Sequence, residues 1–128
     1  MSSGIYDIIR EKIFSKEVDL LNDSVLVLLV GTGYTPDFTN DRDISDIPED
    51  FILSSQLLLG KRLEEGYFKA NTVVFTGIEN AVSISGILLV IDATYLEDSF
   101  LVCFFELSEL SDGTDLNILW ADQGILKI

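Results

Sequence analysis

Val25-Leu26-Val27-Leu28-Leu29-Val30, closed by Gly31-Thr32-Gly33, is the stretch on which the fold turns. Six apolar residues in a row, three of them valines, favour extended backbone. The run is too short for a membrane span and ends on glycines, as strands do. An amphipathic strand would alternate, and this one does not, so it predicts a strand buried on both faces.

The downstream sequence supplies its partners. Phe51 to Leu59 is apolar enough for an extended segment, and Gly60 and Gly66 bracket a turn or short hairpin through Lys61-Arg62-Leu63-Glu64-Glu65. Thr72 to Thr76 predicts a strand. Val82-Ser83-Ile84-Ser85 alternates with period two, and Gly86 then leads into Ile87 to Ile91. Phe100 to Glu106 predicts another strand. Leu116 to Trp120 begins a last pair, with Asp122-Gln123-Gly124 as turn and Ile125 to Ile128 as return strand. Short strands closely spaced by turn signals predict a mainly β domain, an antiparallel sandwich or barrel, rather than βαβ units. The chain of 128 residues is read as one domain.

Upstream lies the one helical pattern. Ile5, Ile8, Ile9 and Ile13 recur at helical spacing over residues 4–15, with Ser2 or Ser3 available as the N-terminal cap. So short a helix must pack on something, either its own sheet or a neighbouring subunit. Between the first strand and the rest, residues 34–50 form a polar connection with Pro36, Pro48 and five aspartates, which predicts a loop.

Composition narrows the function. Twenty-two acids against eight bases give a net charge of −14, which repels phosphate backbones and anionic lipids, so neither nucleic acid nor membrane is an expected partner. A hydrophobic content of 48% removes the disordered reading. Histidine is absent, and with it the commonest general base and metal ligand. Cys103 is the only cysteine and sits inside Phe100 to Phe105, as a buried inert thiol does. No basic leader followed by an apolar segment stands at the start, so the protein is expected to be soluble in a reducing compartment.

The chemical motifs fail one by one. Gly60-Lys61 has Ser55 where a phosphate loop needs glycine and Arg62 where it needs Ser or Thr. Gly31-Thr32-Gly33 follows a strand, but Pro36 replaces the third glycine of a dinucleotide loop. Asp37, Asp41, Asp43, Asp46, Glu49 and Asp50 could attract Ca²⁺, yet the loop lacks the glycine and distal glutamate of a helix–loop–helix calcium site. Asp112-Gly113-Thr114-Asp115 predicts a turn. No catalytic residue, cofactor or metal site is therefore assigned, and the protein is not expected to be an enzyme. Trp120 is either core or interface.

Taken in order along the chain, these features resemble a family of small virion proteins of tailed bacteriophages, the head, minor-capsid or decoration proteins. Leu20-Leu21-Asn22-Asp23 is similar to that family's Trp-Leu-Asn-Asp, and Val25 to Val30 with Tyr34-Thr35 to its hydrophobic strand. Ile44-Ser45-Asp46-Ile47-Pro48 resembles its Leu-Ser-Asp-Ile-Pro. Gly60-Lys61, Gly66, Ala70, Val73 to Thr76, Ile87 to Asp92 and Phe100 to Glu106 follow in order, and Asp115 to Trp120 with Gly124 to Ile128 resembles its terminal pattern. Leu20 stands where that family usually has tryptophan, and Gly31 where it often has aspartate. The resemblance implies a decoration or cement protein on the capsid exterior of a virion, made in the host bacterial cytoplasm. It would bridge neighbouring major capsid protein subunits and associate with itself as a dimer or trimer.

The contact residues expected on that reading are Ile5, Ile9, Asn22, Asp23, Ile44, Ile47, Pro48 and Phe51: the helix stripe, one turn, and apolar residues in or beside a polar loop. The alternative is a head-fibre or tail-associated module that binds a receptor or glycan. Tyr34, Phe38, Tyr67, Phe68 and Tyr95 would then form a sugar platform.

Overall fold

The computed structural model describes residues 3–120 and 124–125. The protein is mainly β, with one short N-terminal helix. Its centre is a five-stranded antiparallel sheet in the order β1-β8-β7-β2-β3. These strands are β1 (Gly4–Ile5), β2 (Val25–Gly31), β3 (Ile52–Leu57), β7 (Asn80–Ile91) and β8 (Leu101–Asp112). Two two-stranded ribbons complete the strands: β4 (Arg62–Glu64) with β5 (Tyr67–Lys69), and β6 (Val73–Phe75) with β9 (Leu116–Ile118).

The run at β2 occupies an interior position, paired with β7 on one side and β3 on the other. Strand geometry sends alternate side chains to opposite faces. Val25, Val27 and Leu29 therefore enter one core with Ile87, Leu89 and Ile91 of β7, and there they meet Phe68, Val73 and Phe75 from the ribbons. Leu28 and Val30 enter a second core with Leu88, Val90 and Phe104. The second core is closed by Tyr6 and Ile8 and by Tyr34 and Ile47 of the long loop. The central sheet thus lies between the ribbons on one face and the long loop on the other, and the helix serves both cores, with Ile9 in the first and Ile8 in the second. The expectation of a strand buried on both faces holds, with Leu26 alone half-buried.

Several boundaries differ from the sequence reading. The helix, α1, runs Asp7–Phe14 rather than over residues 4–15. Gly4 and Ile5 pair instead with Phe104 and Cys103 of β8, because a short apolar segment gains more from a free strand edge than from lengthening a marginal helix. Ser3 does not cap α1. Its Oγ accepts the Glu106 N–H at 2.8 Å, and the N-terminal position of the helix falls to Tyr6, whose side chain makes no cap bond. The two segments around Gly86 are one strand, β7, and β8 continues six residues past Glu106. A hairpin forms after Lys61, but it turns at Gly66 rather than between Gly60 and Gly66: Glu65 and Gly66 both take positive φ (55° and 84°), and the second strand lies beyond the glycine. The predicted return strand falls largely on residues outside the described set. Of its neighbourhood, Ile125 is described: it is buried in the first core, and its N–H donates to the Phe68 carbonyl at 2.7 Å.

Candidate functional site

Residues 34–50 are a loop, but a tightly tied one. The Tyr34 hydroxyl donates to Asp41 Oδ2 at 2.8 Å, and the Tyr6 and Tyr34 oxygens lie 2.7 Å apart. Since the Tyr34 proton is given to Asp41, the Tyr6 hydroxyl is the donor in the second bond. Asp37, Asp41, Asp43 and Asp46 serve the loop's own backbone. Asp37 accepts from the N–H groups of Thr39 and Asn40 and from the Asn40 amide, which holds its carboxyl below the usual carboxylate range. Asp46 accepts from the N–H groups of Arg42 and Asp43, and Asp43 in turn from that of Ser45, closing a capping box on the 3-10 turn Ile44–Asp46. Among the described residues, no three acidic or thiol side chains converge as metal ligands do. Asp112 plays the same part in the turn beyond β8, where it accepts from Thr114.

The eight expected contact residues do not form one surface. Ile9 and Ile47 are 0% and 3% exposed, so their apolar area is spent on the chain's own cores. Ile5 packs against the first core, while Ile44 and Phe51 pack against the second. The apolar residues of the loop are therefore anchors that hold it to its sheet, which corrects the reading of Ile44, Ile47 and Phe51 as exposed contact points. Asn22 and Pro48 remain exposed, and Asp23 is half-buried. Asn22 and Asp23 belong to the turn before β2. There the Asn22 amide donates to Asp19 Oδ2 at 2.6 Å, the Asp19 N–H donates to Asp23 Oδ2 at 2.9 Å, and Lys61 Nζ donates to the Asp23 carbonyl. The Asn22 bond, reinforced by the Leu21 N–H, holds the Asp19 carboxyl below the usual carboxylate range.

Next to this turn the chain leaves apolar area uncovered. An open groove of about 820 Å³ runs between the end of α1, the turn and the β4–β5 hairpin. Ile13, Val18, Leu20, Leu21, Leu63 and Phe68 line it. Phe14, next in the chain to the groove residue Ile13, is 80% exposed, and Leu63 is 61% exposed. Phe14 falls off the isoleucine stripe, and Leu63 alternates with charges in Arg62-Leu63-Glu64; these two signals in the sequence point outward rather than inward.

No family model, no curated protein and no solved structure matches this chain.

The sugar platform does not assemble. Tyr34 and Phe68 are buried in different cores, and the Phe38 ring lies tilted against Tyr6 at 5.0 Å between ring centres. Tyr95 alone of the five stands well exposed, at 62%. Cys103 is fully buried, and burial pushes its thiol well above the ordinary range, which suits packing and not nucleophilic chemistry. Trp120 is half-buried against the first core. Its indole N–H donates to the Asn71 carbonyl at 2.9 Å, and its ring lies 6.0 Å from that of Phe105.

Proposed function

We propose that this chain is a virion structural subunit of a tailed bacteriophage, a decoration or cement protein. On this reading it sits as a dimer or trimer on the outer capsid surface and bridges neighbouring major capsid protein subunits. The observation that carries the proposal is the uncovered groove lined in part by the exposed Leu21 and Leu63, with the exposed Phe14 next in the chain to its Ile13, in a chain that otherwise presents a strongly acidic exterior. Grouped exposed apolar side chains on a soluble domain mark a contact surface. The acidic remainder keeps a protein dispersed before assembly and suits the outside of a shell better than a DNA-lined interior. The ordered resemblance of Leu20 to Asp23 and Ile44 to Pro48 to the phage family supplies the identity of the partner. The contact proposed here is the turn at Asn22 and Asp23 with the groove beside it, since Ile9 and Ile47 have no area left to offer.

The test uses capsid shells assembled without this protein. Added protein is expected to sediment with the shells and raise their melting temperature, and Phe14→Asp with Leu63→Asp is expected to abolish both effects. Shells that neither bind the protein nor gain heat resistance would refute the proposal.

A further inference from the structure

A second feature lies on the far side of the first core. β8 pairs with β7 along its whole length, but on its other edge, among the described residues, β1 pairs with Cys103 and Phe104 alone. Ser3 Oγ takes the Glu106 N–H at 2.8 Å. Beyond that point, no described strand pairs with this edge over residues 107–112. An open edge presents a row of unpaired backbone donors and acceptors, which a further strand can take up.

The edge borders a cleft of about 480 Å³ between β8 and β9. Phe105, Leu107, Leu116, Ile118 and Trp120 give it an apolar lining. Trp120 is a fixed wall, held by its bond to the Asn71 carbonyl. Glu106 and Glu109 stand at its margin and take no part in any ion pair among the described residues. Glu109 is opposite Ile84 across the ladder, so it shares a face with Leu107 and the first core.

We propose that residues 107–112 of β8 accept an extended segment of a different protein, one that carries lysine or arginine among small apolar residues, as an added strand. Its backbone would continue the position of β1. Its alternate side chains would enter the cleft beside Leu107 and Trp120, and a basic residue two positions on would meet Glu109. A second copy of this chain fits badly. Antiparallel edge-to-edge pairing of two copies about a two-fold axis at Glu109 would bring Glu109 against its own counterpart and Glu106 against Asp112 of the other copy, in chains of net charge −14. The inference stands on the strand edge and its charges, whichever protein supplies the segment, and so goes beyond the capsid proposal.

The probe is a capped threonine–valine hexapeptide carrying two lysines, with the same peptide carrying two glutamates as its control. Trp120 is the only tryptophan, so its emission reports on the cleft directly. The lysine peptide is expected to shift that emission and to slow amide hydrogen exchange over residues 107–111, and the glutamate peptide to do neither. Glu109 is exposed, outside both cores, so Glu109→Lys should fold as the parent does and weaken binding at least tenfold. Glu109→Gln keeps the shape and should lose part of the affinity. Equal binding of the two peptides, protection at some other strand, unchanged affinity in both variants, or protection of this edge by self-association would each overturn the inference. The shell experiment reads separately: shell binding without peptide binding leaves the capsid proposal standing, and peptide binding without shell binding does the reverse.

Discussion

Tyr6 and Tyr34 share a buried hydrogen bond 2.7 Å long across 28 positions of sequence, and Tyr34 passes the chain on to Asp41. This pair joins the entry to α1 to the long acidic loop over the second core. The two hydroxyls are not equivalent. Tyr34 both accepts and donates, while Tyr6 only donates. Tyr34→Phe therefore leaves the Tyr6 hydroxyl buried without an acceptor and frees Asp41, and it should cost about 1–3 kcal/mol. Tyr6→Phe leaves the bond to Asp41 intact and should cost about 0.5–1.5 kcal/mol. Urea denaturation of both variants measures the order, and a Tyr6→Phe loss larger than that of Tyr34→Phe would contradict the assigned donor.

The same pair makes stability depend on alkaline pH. Burial raises both phenols far above their ordinary value of about 10, with the hydrogen bonds around Tyr34 adding to its shift. The neutral forms are favoured in the folded state, so above about pH 10 the unfolded chain binds fewer protons than the native one. Stability from this source is whole below pH 10 and lost progressively as pH rises above it. Melting temperature is expected to fall between about pH 9.5 and 11, less steeply in Tyr34→Phe. Thermal melts across that interval decide it.

Gly86 crosses β7 where Phe104 and Phe105 press on it. A Cβ there would lie 2.7 Å from the Phe105 carbonyl oxygen and would also run into the Phe104 ring. Backbone cannot give way cheaply in the middle of a paired strand. Gly86→Ala should destabilise the fold by at least about 1–3 kcal/mol, although alanine is ordinarily the safer residue in a strand. Gly77→Ala is the contrast: nothing stands within 4 Å of its Cβ, so any cost comes from its φ of +71° alone. Calorimetry of the two variants separates steric overlap from backbone strain.

Cys103 is 1% exposed near the start of β8. With its thiol buried and held protonated, it should resist an aromatic disulfide reagent at pH 8 and react fully in denaturant. Its rate of modification in the native state then reports opening of the central sheet. Rapid reaction without denaturant would contradict the packing described.

Residue type and spacing were enough for the mainly β class, for the strands at Val25 to Val30 and Ile87 to Ile91, for a turn signal at Gly66 and for the buried thiol. Each of these rests on a local property: an apolar run, a turn residue, or a cysteine among large hydrophobes. The ends of elements were less legible. Gly4 and Ile5 suit a helix stripe and a strand equally, and the choice depended on a free edge a hundred residues away. Which apolar residues of the loop are covered was decided only in three dimensions. Ile47 in an acidic loop reads as exposed and is buried, while Phe14 closes a helix and stands in solvent. A residue's affinity for water is written in its side chain. Whether that side chain is covered depends on which distant segment reaches it, and here the tyrosine pair, the loop and the edge of β8 that β1 joins made that choice.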